Sequence, residues 1–148
     1  MIATIKVTVY YDNDQSEDRV IDYDGIDYIG DVLASVVGEE IEDYEVIDWY
    51  DLPLALQDMQ VLQEIALDYD HIDEDVILAG IALDIPLQDI EEAYQGEWNS
   101  DEDFAMEMAD ELCEIPQSWP HYCIDWGFAA KELMHDYYEH NGHYFRRM

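Results

Sequence analysis

Residues 2–11 read IATIKVTVYY, a run rich in β-branched residues whose side chains alternate with period two. Such alternation turns one set of side chains to a core and the other to water, as in a half-buried strand. Residues 12–18, DNDQSED, form a polar turn, and RVIDY at 19–23 returns as a second strand. The period then changes. Ile29, Val32, Leu33, Val36 and Val37 make a helical stripe within Tyr28 to Val37, and Gly38 is placed to cap its C-terminus. YEVIDWY at 44–50 reads as a further strand, so residues 1–53 form an expected N-terminal α+β subdomain ending near Pro53. Tyr23, Tyr28, Tyr44, Trp49 and Tyr50 are read as core or half-buried packing residues.

Residues 54–97 form an expected central helical subdomain. Met59, Leu62, Ile65 and Ala66 keep helical spacing, as do Val76, Ile77, Ala79 and Gly80 to Leu83. Pro86 breaks that run, and Ile90 to Tyr94 reads as a short helix stopped by Gly96. Residues 98–148 form an expected, mainly helical C-terminal subdomain. Ser100 to Asp103 looks like a capping box, followed by a helix with Phe104, Met108 and Leu112 on one face. Pro116 and Pro120 mark a loop. Asp125 caps a helix over Trp126–Tyr138 with Phe128, Ala129, Leu133 and Met134 on its apolar side, and His143 to Arg146 reads as a final short strand. The fold class is therefore α+β: an elongated chain of small α/β and mainly helical subdomains. No internal repeat is visible, and acids interleave with hydrophobics throughout, as in IDYDGIDY at 21–28.

That interleaving is unusual in its charge. Among 148 residues there are 38 Asp and Glu against 5 Lys and Arg, a formal net charge of −33, yet 49% of the chain is hydrophobic. Disordered acidic chains lack that apolar content, so the chain folds. No Lys or Arg occurs between Val20 and Ala130, so most carboxylates have no cationic side chain to pair with. Self-repulsion on this scale destabilises a compact body, and its retention points to a strongly cationic partner. The stretch Met1 to Val9 alternates like a strand and is no signal-peptide core, and no spanning segment is seen. A cytoplasmic location is the expectation. Cys113 and Cys123 could bridge, but reduced thiols are the default there.

Discrete chemistry is poorly supported. Asp12-Asn13-Asp14 and Asp68-Tyr69-Asp70 resemble the start of a calcium loop, but the sixth position is Glu17 or Asp73 instead of glycine, and the twelfth is Tyr23 or Ala79 instead of an acid. Cys113, His121 and Cys123 with His135, His140 or His143 fit no compact zinc spacing. The chain has no Gly-rich phosphate loop, HExxH or GxSxG. Its shortage of cations argues against nucleic-acid binding. No catalytic residue, metal or cofactor is assigned, and no nucleic acid or membrane is an expected partner.

The acidic field itself remains. A net charge of −33, laid out at the charge density of duplex DNA, would match about 56 Å or roughly 16 base pairs. The candidate phosphate-mimicking acids are Asp22, Asp24, Asp27, Asp31, Glu39, Glu40, Glu42 and Asp43 in the first subdomain. In the second they are Asp58, Glu64, Asp68, Asp70, Asp73, Glu74, Asp75, Asp84, Asp89, Glu91, Glu92 and Glu97, and in the third Asp101, Glu102, Asp103, Glu107, Asp110 and Glu111. Carboxylates three or four apart on a helix stand ~5–6 Å from each other, close enough to imitate a phosphate row.

Four segments, in order, resemble the ArdA family of antirestriction proteins: EVIDWYDLP (45–53), YQGEWNSDEDFA (94–105), EIPQSWPHYCIDWGFAAKEL (114–133) and GHYFR (142–146). The resemblance spans nearly the whole chain, and the third segment is its most specific part. It implies an elongated three-domain homodimer that imitates bent B-form DNA. It also implies the target, the DNA-methylating core of Type I restriction–modification enzymes, and carriage by a phage or mobile element. Ile115 to Leu133 matches the family's dimer-forming domain, which makes Tyr122, Ile124 and Phe128 the candidate contacts. The chain departs from the pattern in shortened loops near 12–20 and after Tyr138, and in Trp119 and Cys123 where an aliphatic residue is expected. The rival readings are a mimic aimed at a phage-exclusion system, a CRISPR effector or a nucleoid protein, and a carboxylate-rich cation-binding protein.

Overall fold

Ile5, Val7 and Val9 are wholly buried and flank half-buried Lys6 and Thr8, so the alternation of the opening segment becomes the central strand of a sheet. The computed structural model describes residues 1–112 and 118–148. Among them the architecture is mixed α+β, with two three-stranded antiparallel sheets and six α-helices. Chain contacts divide it into two compact units, Met1–Asp73 and Glu74–Met148.

In the first unit β1 (Ala3–Tyr10) lies between β2 (Ser16–Tyr23) and β3 (Asp43–Asp48), giving the order β2-β1-β3. The inner face packs Ala3, Ile5, Val7, Val9, Ile21 and Tyr23 against Ile29 and Leu33 of α1 (Ile29–Val37) and Leu62 of α2 (Met59–Asp68). Each fully buried aliphatic side chain contributes about 1.5–3 kcal/mol. Gly38 caps α1 in the left-handed region at φ 80°, where glycine carries no Cβ penalty. Gly25, at φ 78°, is buried against α2: a Cβ there would overlap the Leu62 carbonyl. Because Leu62 belongs to this core, α2 joins the first unit and the next two helices join the second. Residues 54–97, read as one central subdomain, therefore do not fall in one unit.

The second unit orders its strands β4-β6-β5, from β4 (Tyr94–Glu97), β5 (Tyr137–His140) and β6 (His143–Arg146). The helices are α3 (Glu74–Ala82), α4 (Leu87–Ala93), α5 (Asp101–Leu112) and α6 (Trp126–Leu133). His143, Tyr144 and Phe145 are all buried, so the central strand is covered on both faces. On one face Tyr144 meets Phe104 of α5 at 4.6 Å between ring centres, with Trp98 and Tyr137 completing an aromatic cluster. On the other, His143 and Phe145 meet Tyr94. Gly80 lets α4 close on α3: a Cβ there would stand 2.7 Å from the Ile90 side chain.

Several local expectations are corrected here. Gly96 does not stop a helix; it sits inside β4 at φ 138°, where the register shifts into a bulge. The last helix ends at Leu133 instead of Tyr138, and the following residues turn into β5. A two-residue loop, Asn141-Gly142 with φ 51° and 84°, joins β5 to β6, as the right-handed twist of a hairpin favours. On α6 Ala130 is buried and Ala129, Leu133 and Met134 are half-buried, whereas Phe128, expected on the same side, is exposed. Leu112 is exposed as well, as are Tyr28 and Tyr50. Tyr23 is buried, and Tyr44 and Trp49 pack half-buried on the first core.

Candidate acidic interaction surface

Of the candidate acids only Asp89 is half-buried; all the others are exposed. The elements sort them into two chemical kinds. One kind also serves the fold. Asp58 caps α2, its Oδ1 accepting from the Gln60 amide at 2.8 Å. Asp22 accepts from the Thr4 hydroxyl at 2.6 Å across the β1–β2 pair, and Asp24 and Asp43 accept backbone amides of Ile26 and Tyr44. Asp101 accepts from the Tyr144 hydroxyl at 2.6 Å and Glu107 from the Trp98 indole at 2.6 Å. Glu92 faces Arg146 at 3.8 Å. Glu74, Asp75 and Asp101–Asp103 also sit in first helical turns, where the dipole favours negative charge.

The other kind opposes the fold. Glu39 and Glu40 follow the end of α1, Asp68 ends α2 with Asp70 just beyond, Asp84 follows α3, and Asp110 and Glu111 close α5. These are the negative ends of helix dipoles, where a carboxylate is unfavourable and a cation favourable. No basic residue occupies the last turn of any of these four helices.

On the outer face of the first sheet the register sets acids around Lys6, Thr4 and Thr8. Thr4 stands opposite Asp22, Thr8 opposite Asp18 and Glu45, and Tyr10 opposite Asp43. Asp43 and Glu45 alternate on one strand and so stand about 7 Å apart. The sequence reading did not single out Asp18 and Glu45; the alternation of β2 and β3 was the signal that places them on this face. Cations are few: Arg19 pairs with Glu17 at 3.4 Å, and Arg147 lies 3.9 Å over the ring of Tyr138.

Concave features occur in the second unit. A groove of about 550 Å³ is lined by Asp101 and Glu102 of α5 with Asp125, Gly127, Phe128 and Lys131 from the α6 side. A smaller cavity of about 320 Å³ lies at α3 and the sheet. Among the described residues no group of three or more His, Cys, Asp or Glu converges to hold a metal ion. In the first calcium-like segment Asn13 Oδ1 accepts from the Gln15 amide, and Asp14 takes φ 61° in the β1–β2 turn. Cys123 is an exposed thiol; the bridge to Cys113 and the start of the segment Ile115–Leu133 lie outside the described residues. Of the dimer candidates, Tyr122 and Phe128 are exposed and Ile124 is half-buried. Trp119 is exposed beside them in sequence. No helix among the described residues is long and apolar enough to cross a membrane. No family model, curated protein or solved structure matches the chain.

Proposed function

We propose that this protein is a non-catalytic DNA mimic, an antirestriction inhibitor of the ArdA type that occupies the DNA-binding groove of a Type I restriction–modification enzyme in the host cytoplasm. The observation that carries this reading is the acids that oppose their own fold. Carboxylates at the ends of α1, α2, α3 and α5 work against the helix dipoles without a neighbouring cation in the last turn. Solubility alone needs far less charge than −33. A cationic groove supplies the missing counter-charge: carboxylates take the places of phosphates, long-range attraction speeds encounter, and contact excludes DNA. Exposed Tyr122 and Phe128, with Ile124, are the proposed contact of a homodimer.

The test is competition. Purified protein titrated against the enzyme's methyltransferase core should abolish DNA binding and cleavage at near-stoichiometric ratio. The effect should weaken as salt rises, because the screening length falls to about 10 Å at 0.1 M. Converting the acids of 68–75 or of 84–97 to amides together should weaken inhibition far more than any single change in those segments. DNA binding left intact at micromolar inhibitor would remove this enzyme as the target.

A further inference from the structure

We infer that Asn141 is a modification site, converting spontaneously to aspartate and isoaspartate, and that Glu139 sets the rate of that conversion. Asn141 alone among the asparagines precedes glycine; Asn13 and Asn99 precede Asp14 and Ser100. In the reaction the Gly142 nitrogen bonds to the side-chain amide carbon of Asn141. The bond from that carbon to the amide nitrogen breaks, and ammonia leaves with the proton from Gly142. Water then opens the cyclic imide at either carbonyl, which returns the N–H and leaves a carboxylate. Glycine has no Cβ to obstruct the attacking nitrogen. Asn141 is exposed in the β5–β6 hairpin loop, so water and hydroxide reach it.

The fold acts on the attacking atom. In a two-residue loop the strand ladder ends at the flanking residues, here His140 and His143. The Gly142 amide lies outside that ladder and donates instead to Glu139 Oε1 at 2.7 Å. Attack requires this N–H to lose its proton and the nitrogen to swing toward the Asn141 side chain. A carboxylate that accepts from the N–H opposes both steps: its charge disfavours an amide anion, and its hydrogen bond holds the peptide in place. The Gly142 carbonyl accepts from the Trp98 amide at 3.0 Å, and a Cβ on Gly142 would stand 3.2 Å from the Trp98 carbonyl oxygen. The turn is thus clamped on Trp98, and the exposed Glu139 is the contact that solvent can loosen.

The two products differ in what the fold tolerates. Aspartate keeps the backbone: Asn141 sits at φ 51°, and Asp14 and Asp84 already hold φ 61° and 58°. It adds one carboxylate beside Glu139 and Glu97, whose Oε1 would stand 3.8 Å from a Cβ on Gly142. Isoaspartate routes the main chain through the side-chain carbon and so lengthens a loop whose two residues fix the β5–β6 register. Tyr144 and Phe145, both buried, depend on that register, so isoaspartate loosens the second sheet. None of this depends on what the acidic surface binds.

The experiment incubates the full chain at mildly alkaline pH, in buffer and in guanidinium chloride. Conversion is followed by mass spectrometry of the tryptic peptide from Glu132 to Arg146, with aspartate and isoaspartate forms separated chromatographically. Denatured, Asn141 should convert fastest of the asparagines; folded, it should convert measurably but several-fold more slowly than denatured. Glu139→Ala should speed conversion of the folded chain about threefold or more, the effect of one lost hydrogen bond, and leave the denatured rate unchanged. Glu139→Gln keeps an acceptor and should restore most of the protection. The isolated isoaspartate form should unfold at a lower temperature than the unmodified chain. A folded chain that stays unconverted while the denatured chain converts fully would overturn the site. Equal folded rates for wild type and Glu139→Ala would overturn the role of Glu139. If Glu139→Ala loses its fold by circular dichroism, the wild-type rates decide: equal conversion folded and denatured overturns the protection, and slower folded conversion that Glu139→Gln preserves supports it.

Discussion

The two sheets of this protein meet the same excess of negative charge in opposite ways. The first has one dry face and one wet one, so every second residue of β1 is buried, and Asp18, Asp22, Asp43 and Glu45 stand on the outer side. The second is covered on both faces, with His143, Tyr144 and Phe145 buried in succession. No carboxylate fits inside such a strand without a large desolvation cost. Its acids are displaced to helix ends and to the rims of the sheet, among them Asp75, Glu97 and Asp101. A one-faced sheet can display charge as a lattice set by its register. A two-faced sheet can only frame grooves with it.

The second sheet depends most on Phe104. Its ring contacts Trp98, Tyr137 and Tyr144, and it is wholly buried. Phe104→Ala should lower unfolding free energy by about 3–5 kcal/mol, read from urea denaturation. Loss of less than about 1 kcal/mol would mean that α5 does not close the second sheet. The matching point in the first unit is Gly25. Gly25→Ala forces a side chain into φ 78° and against α2, with the Leu62 carbonyl carbon 2.8 Å away. The backbone strain alone costs about 1–3 kcal/mol, and the overlap adds to it. Gly38→Ala, with the same hand of backbone but open space around it, should cost less.

Much of this was legible wherever the signal is local. The alternation of β1, the stripe and Gly38 stop of α1, and the caps at Ser100 and Asp125 all rest on residues within one turn of each other. The end of α6 was not legible, because Leu133 and Met134 keep helical spacing while Tyr137 and Tyr138 are claimed by β6, a partner fixed by tertiary pairing. Asn141-Gly142 was the available signal for that hairpin. The same limit applies to the surface. That it would be acidic follows from composition, but which acids the fold itself holds depends on pairs such as Thr4–Asp22 and Tyr144–Asp101, distant in sequence. Phe128 is exposed because Ala130 takes the buried side of its helix.

A tyrosine–carboxylate hydrogen bond makes the stability of each unit depend on pH. Tyr144 is 2% exposed; burial, then its hydrogen bond to Asp101, raises its pKa from the ordinary 10.0. A raised phenol pKa means the folded state favours the protonated form. Its contribution is complete below about pH 10 and is lost as pH rises through the folded value. Tyr144→Phe should flatten the alkaline limb of a stability–pH curve measured by thermal unfolding. An unchanged limb would mean that the phenol is not held by Asp101.

The smallest effect belongs to the half-buried counterpart in the first unit. Tyr11 donates a hydrogen bond to Glu17, which raises the phenol from 10.0 to about 12 and holds the Glu17 carboxyl below its ordinary 4.5. Both shifts come first from that one bond, so they bound one window. Glu17 contributes stability above pH 4.5 and loses it as pH falls through its lowered value, whereas Tyr11 contributes below pH 10 and loses it towards 12. The bond therefore stabilises the β1–β2 hairpin on a plateau between those limits. Solvent at the hairpin end screens it, so its influence should remain below that of Tyr144. Tyr11→Phe should remove both edges of the plateau together, seen as the loss of the Glu17 shift in a carboxyl NMR titration and of the high-pH phenol in an absorbance titration. Loss of only one edge would show that the two groups do not share the bond, and that Glu17, opposite buried Val9, is held by something other than the Tyr11 hydroxyl.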